Sequence, residues 1–516
     1  AARRAPRLER AMTASSFSRG AKLAPLAALA LLCACQRAPE EPQPLASAAD
    51  VSQPEGWDAD LTLPTVADLN PDPNVLEINL EAKITDIEFR PGQKTPAWTY
   101  NGTVPGPLLR AKVGDRLIVH FKNSLPEATS IHWHGVRVPN DMDGAPGATQ
   151  TPIEPGGEFR YEFTFRDAGT FWYHPHIDSS AQVGRGLYGA IVVDDPNDPV
   201  NVRDELVLVL SDIGLTDTGD LVSADSGGAF GTLFGREGNV PLVNGKVVPT
   251  LKVRAGKQQR WRIIDAARAR YFNLRLNDHR FIKLGGDDGL AARSADVYNM
   301  VITPGERADA IFTPASAPGS ETMLSWVPVE RGYGSQFARP WEDLMKIVTV
   351  PDAPVEPVKI PETLRTIEPI DITNAVHRTI ALTISVQGNN VEMGINGVPH
   401  SHVKPIEAKL GTSEVWTVVN DTDFAHPFHV HGYFFQVLDD TRVPEWKDTV
   451  DVPTHSQLQL AIKFDERPGV WMYHCHILDH AEAGMMGHIH VSADGMPDDA
   501  SAPAMQHSHH EVDGAD

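Results

Sequence analysis

The chain is poor in cysteine: its 516 residues include only Cys33, Cys35 and Cys475. That excludes a disulfide-stapled scaffold and leaves Cys475, far from the other two, without an obvious bridging partner. Positive charge is also short. Lys+Arg 45 against Asp+Glu 68 give a formal net charge of −23, a surface that disfavours nucleic acid and mildly attracts cations. Long apolar runs are missing: the stretch 23–32 is too short to span a bilayer. Helical periodicity is scarce, and the 11 methionines are scattered rather than gathered into a run.

What is abundant is punctuation. Gly and Pro number 41 each, and turn signals recur among short Val/Ile/Phe/Tyr runs. That pattern predicts an all-β chain of sandwiches. The length is too great for a single core, so roughly two to four domains are expected.

Met12 is the expected first residue of a leader. Arg19 and Lys22 form its basic part and 23–32 its apolar part. Arg3-Arg4 lacks the hydrophobic context of a twin-arginine signal. Leu32-Cys33-Ala34-Cys35 resembles a bacterial lipoprotein signal, with Cys35 as the acylated residue. Several acyl chains would anchor the protein stably. The expected location is therefore the periplasm of a bacterium, on a lipid anchor. Residues 36–74, rich in Pro, Ala, Asp and Glu, are expected to be a flexible tether.

Internal repeats follow. An Asn-Gly turn recurs at Asn101-Gly102, Asn244-Gly245 and Asn396-Gly397. A Gly and then a strand come after each, at 114–123, 256–265 and 411–420. FRDAGTFWYHPHI (165–177) also parallels FDERPGVWMYHCHI (464–477), with Pro175 where Cys475 stands. The predicted layout is a leader 1–35, a tether 36–74, β modules at 75–200, 201–352 and 366–493, a Pro-rich linker 353–365, and a tail 494–516. The tail carries His507, His509 and His510 and is expected to be disordered.

The chemistry concentrates in His474-Cys475-His476, followed by His480 and Met485. Side chains alternate along a strand, so Cys475 points one way and both histidines the other. A metal held by the thiolate would be joined through a few covalent bonds to metals held by the imidazoles. A Cys, one or two His and a distant Met form a blue-copper ligand set. A lone His-x-His is ordinarily just a surface pair, but here there are further clusters: His132-Trp133-His134, His174-Pro175-His176, and His426-Pro427-Phe428-His429-Val430-His431.

These four segments resemble the multicopper oxidase family, which includes laccases, and the resemblance covers nearly everything after about residue 75. It implies three consecutive cupredoxin-like Greek-key β-sandwich domains and four coppers per chain; three modules suffice to form the cluster within one chain, so a monomer is the expected state. It assigns the type 1 copper to His426, Cys475 and His480 with Met485 axial. The single type 2 copper goes to His132 and His429. The type 3 pair goes to His134, His174 and His476, and to His176, His431 and His474. In the family, a reductant gives single electrons to type 1 copper, Cys475 passes them to His474 and His476, and the trinuclear cluster reduces dioxygen to water. Asp143 matches the family's acid beside the cluster. One position departs: several bacterial members have Glu immediately after the type 1 histidine, where this chain has Ala481 between His480 and Glu482, with Asp479 nearby. The middle module, whose His279 stands alone, is implied to be a spacer and a wall of the substrate site.

The resemblance leaves two oxidase readings open: a laccase acting on phenols and aromatic amines, and a periplasmic metallo-oxidase acting on cuprous ion. The absence of a Met-rich run favours the laccase. A third reading, a non-catalytic scaffold, fits poorly with a chain that keeps every ligand position.

Overall fold

Strands form where apolar residues alternate with polar ones, as in Arg116–Asn123, or where both faces are covered, as in Glu205–Ile213. The structure is a computed structural model that describes residues 46–47, 55–332, 339–351, 355–388 and 390–493. The expected all-β architecture of three consecutive sandwiches is what forms, each a pair of sheets. The first pairs Gln93–Tyr100, Val75–Arg90, Arg116–Asn123 and Glu158–Thr164 against Gly106–Lys112, Gly189–Asp194, Gly169–His174 and His132–His134. The middle one faces a six-stranded against a five-stranded sheet, and the last has two five-stranded sheets.

The repeats are physical as well as textual. In each of the three Asn-Gly turns both residues have positive φ, the conformation that a tight hairpin demands and that Asn and Gly tolerate. Each Asn side chain also accepts a backbone N–H from the module's long first strand: Glu81 at 2.7 Å, Val209 at 2.7 Å and Ala381 at 2.8 Å. That first strand then runs parallel to the second strand after the Asn-Gly turn in every repeat, as in Val75–Ala82 with Arg116–Asn123.

Large aromatics fill the sandwiches: Trp133 in the first, Trp261 in the middle, Trp416 and Trp471 in the last. Burying such side chains contributes about 1.5–3 kcal/mol apiece for Val- to Phe-sized groups. The last core also contains Cys475 and Met485, so that site is built into the packing of its module.

The flexible tether expected over 36–74 is corrected by the structure from residue 55 onward. Leu61 and Leu63 are buried, Trp57 packs on the middle core, and Asn244 donates to the Leu61 carbonyl at 2.6 Å. Polar composition masked three apolar anchors. The leader with Cys33 and Cys35, and the tail 494–516, lie outside the described residues.

Candidate metal centre

Cys475 ends the strand Gly469–Cys475, whose neighbour is His426–Val430; Phe428 pairs with Cys475 and His429 with His474. The chain then turns into the short helix Leu478–Glu482, which returns His480 to the Cys475 side. Its exit loop is fastened by the Cys475 N–H on the Met485 carbonyl at 3.1 Å, and the Met485 side chain is fully buried. The thiol lies 3.5 Å from Nδ1 of His426 and 3.6 Å from Nδ1 of His480, and these two nitrogens are 3.1 Å apart.

The outer nitrogens of those rings are occupied. Nε2 of His480 donates to the Leu233 carbonyl at 3.1 Å, and Nε2 of His426 donates to Oγ of Thr422 at 3.0 Å. Both Nδ1 atoms therefore present lone pairs to each other and to the sulfur. The single thiol proton can meet only one of them, whereas a cation between the three atoms satisfies all of them at once.

The other eight histidines converge between the first and last modules. Ligand nitrogens lie within 4.8 Å of one another in the groups His132/His134/His429, His134/His174/His476 and His176/His431/His474. The same logic of outer bonds recurs. His431 donates from Nδ1 to Asp143 and His474 from Nδ1 to the Cys475 carbonyl, while their Nε2 atoms face each other at 3.0 Å. Nε2 of His132, His174 and His429, Nδ1 of His134, and both nitrogens of His476 are buried without a hydrogen-bond partner. Buried polar nitrogens are seldom left unpaired, so the orphans mark positions that a ligand fills.

Charge points the same way. Burial, reinforced by neighbouring imidazoles, pushes the pKa of His134, His174, His431, His474 and His476 well below the ordinary histidine value, and His176 down to about 3. Burial and then Arg331 bring His480 down to about 3. Neutral imidazoles keep the lone pairs that a metal needs. The Cys475 thiol is pushed up by burial, so a bound cation must supply the stabilisation of its thiolate. Imidazole nitrogens with one thiolate and one thioether fit copper.

Asp143 is buried, and its carboxylate accepts from His431 at 2.8 Å while its carbonyl accepts from His132 at 2.8 Å. Burial opposes ionisation, but the His431 and His132 imidazoles facing it hold its pKa below the usual carboxylate range. Ala481 is buried on the short helix. Its acidic neighbours are engaged elsewhere: Glu482 accepts from the Ser179 hydroxyl at 2.8 Å, and Asp479 pairs with Arg268 at 2.8 Å and with Arg236.

Sequence reading missed several groups here. Asp448 lies 3.3 Å from Nε2 of His134, and its carbonyl accepts from Nδ1 of His429 at 3.0 Å. The Thr449 hydroxyl lies 3.0 Å from Nδ1 of His429. The available signal was a Lys-Asp-Thr triplet, 447–449, opening the strand Thr449–Val452. Leu233 acts through its backbone carbonyl, for which a sequence carries no signal. The middle module's lone His279 is half-buried, 2.6 Å from the Asn277 carbonyl and packed edge-to-face on Phe312, apart from both centres.

Three family models described as multicopper oxidase match residues 81–198, 204–325 and 370–495. The chain is 31% identical over 429 residues to the multicopper oxidase MmcO of Mycobacterium tuberculosis, covering 75% of this chain and 81% of the relative. It is 26% identical to Laccase-2 of Cryptococcus neoformans, covering 82% and 88%. Among solved structures, a multicopper oxidase from Campylobacter jejuni described as a metallo-oxidase superposes with a TM-score of 0.75 at 31% identity, covering 83% of this chain and 94% of that one.

Proposed function

The chain belongs to the multicopper oxidase family, copper-dependent oxidoreductases that use dioxygen, and we propose that it is a laccase-type member that oxidises phenols and aromatic amines. We assign the ligands as the motif pattern has them: His426, Cys475, His480 and Met485 for type 1, and the eight remaining histidines for the trinuclear cluster. Convergent orphan nitrogens support that assignment. Bound copper supplies one-electron acceptance at the thiolate site and the four-electron reduction of dioxygen at the cluster. The protein supplies the connection: His474 and His476 flank Cys475 in the chain, so the two sites share one strand end.

The observation that carries the phenol reading is the rim outside His426 and His480. Leu233, whose carbonyl holds His480, precedes Phe234, and Phe234 packs edge-to-face on Phe424 with centroids 5.4 Å apart. Phe230, 73% exposed, extends the same aromatic surface at 6.3 Å from Phe234. Aromatic faces favour aryl substrates. Asp143, an anion that bonds to His431, is the group placed to receive a proton and hand it on during dioxygen reduction.

Cuprous-ion oxidation is the second reading. The Campylobacter relative is described as a metallo-oxidase, and exposed Asp421 and Asp423 flank Thr422 beside His426 and reach His455. Oxygen uptake by copper-loaded protein separates the two. A higher kcat/KM for a methoxyphenol than for cuprous ion supports the laccase. A strong preference for cuprous ion overturns it. The protein is further proposed to be exported on a lipid anchor at Cys35, on the strength of its leader motif, and to act as a monomer, because every proposed cluster ligand comes from one chain. No helix among the described residues is long and apolar enough to cross a membrane.

A further inference from the structure

The middle module holds none of the proposed copper ligands, yet one of its turns reaches the cluster. Thr303, Pro304, Gly305 and Glu306 join the strands Asn299–Ile302 and Arg307–Phe312. Gly305 has φ +89°, and a Cβ built there would lie 2.8 Å from Cγ of His476 and 3.1 Å from Cε1 of His134. The backbone of this turn therefore lies directly on two cluster rings. No other residue type fits without moving them.

Arg307, the first residue of the strand that follows the turn, is fully buried and ties the three modules together. Its Nε donates to the Thr170 carbonyl of the first module at 3.0 Å. Nη1 donates to the Gly305 carbonyl at 2.8 Å and to Oδ1 of Asp448 in the last module at 2.7 Å. Nη2 donates to the Asp287 carbonyl at 2.8 Å and to the second oxygen of Asp448. Asp287 closes the frame by accepting the Arg307 N–H at 3.0 Å, and Lys447 sits 3.0 Å from it.

Asp448 is the link to the metal site. Its Oδ1 lies 3.3 Å from His134 of the first module and 3.5 Å from His429 of the last, and it accepts the Thr449 hydroxyl at 2.8 Å. Those two rings stack at 4.0 Å between centroids. A carboxylate this buried stays in place only while both oxygens are matched, and the planar two-pronged guanidinium does that where a point cation cannot.

We infer that Arg307 and Gly305 are positioning residues for the trinuclear cluster, through which the middle module fixes His134 and His429 relative to each other. Arg307 acts through Asp448, Gly305 by direct contact. The effect is read on the type 2 side: His429 is a proposed type 2 ligand, and Gly305 reaches it through His134, a proposed type 3 ligand that stacks on His429 at 4.0 Å, whereas none of these contacts is with His426, Cys475 or His480. The inference rests on the ligand assignment proposed above and holds whichever reductant the protein takes.

The test uses the copper-loaded protein and three variants: Arg307→Met, Arg307→Lys and Gly305→Ala. Each is read by total copper, by the electron paramagnetic resonance signal of type 2 copper, and by the blue type 1 absorption as an internal measure of folded protein. Arg307→Met is expected to hold type 2 copper about 10–100-fold more weakly against a chelator, with blue absorption per chain retained. Arg307→Lys should fall between it and the wild type. Gly305→Ala should shift the type 2 signal although the Arg307–Asp448 pair is intact. Type 2 and type 1 signals falling in step would make the contact purely structural and overturn the inference. So would a wild-type type 2 signal in a folded Arg307→Met protein. If neither Arg307 variant folds, an unchanged type 2 signal in Gly305→Ala overturns it. Loss of type 1 copper alone would instead refute the ligand assignment.

Discussion

Replacing Asp143 with Asn keeps the outline of the side chain and removes its charge. The affected contact is the 2.8 Å bond from Nδ1 of His431, on the side of the ring away from the facing Nε2 of His474. An amide oxygen can still accept that proton. A hydrogen bond to a charged group nets about 1.5–3 kcal/mol and a neutral one about 0.5–1.5, so the substitution removes about 1–2 kcal/mol of ring orientation. If that difference is expressed fully in the barrier for dioxygen reduction, the step slows about 5–30-fold. Losing the proton-accepting carboxylate can only add to the effect. The assay splits turnover. Anaerobic bleaching of the blue band by a methoxyphenol reads electron acceptance at Cys475, and reappearance of the band on adding dioxygen reads the cluster. Copper is counted first, because a loosened His431 also weakens metal retention. Bleaching should match the wild type, since none of Asp143's hydrogen bonds reaches His426, Cys475 or His480, while recolouring should slow. Recolouring at the wild-type rate would leave Asp143 only the role of a residue closing the turn Asn140–Met142.

Cys475→Ser should abolish both the blue absorption and turnover while leaving the melting temperature of the metal-free protein nearly unchanged, because the replacement is isosteric at a fully buried site; a retained blue band would remove Cys475 from the site. Phe424→Ala should raise KM for a methoxyphenol by the equivalent of about 0.5–1.5 kcal/mol and leave cuprous-ion oxidation unaffected, as expected for loss of an aromatic contact; equal effects on both substrates would count against the aromatic rim. Stripping copper with a chelator should lower thermal stability, by about 4 kcal/mol if the loaded sites are saturated a thousandfold. Lone pairs of His431 and His474 facing each other at 3.0 Å leave the empty cluster strained, so identical melting of loaded and stripped protein would contradict the geometry.

The ligand motifs could be read from sequence because their chemistry is local. In His474-Cys475-His476, strand alternation alone separates the thiol from the imidazoles, and no tertiary knowledge is required. The Asn-Gly turns were legible for the same reason: positive φ at both residues is a property of two adjacent positions. The groups that steady the centres were hidden because each acts across a module boundary. Asp448 meets His134, Arg307 meets Thr170 and Asp448, and Arg268 meets Asp479, pairs more than a hundred positions apart in the chain.

The stretch 259–270, QRWRIIDAARAR, shows why pattern reading fails there. Arginines alternating with apolar residues read as a strand with one wet face. Instead Arg260, Arg262, Arg268 and Arg270 are all buried or nearly so. They are paired with Asp309, Glu205, Asp479 and Asp212, respectively. The face that should meet water meets other parts of the chain, and each guanidinium finds a carboxylate there. A period-two pattern records which side of a strand is polar, not what covers it. The middle module can therefore look like a spacer in sequence and still carry the ionic joints that hold the outer two around the copper sites. Leaving one of these buried charges without its partner is costly, about 3–5 kcal/mol where a single member of such a pair is removed. That cost keeps the joint closed, and the Arg307–Asp448 pair is the joint that meets the cluster.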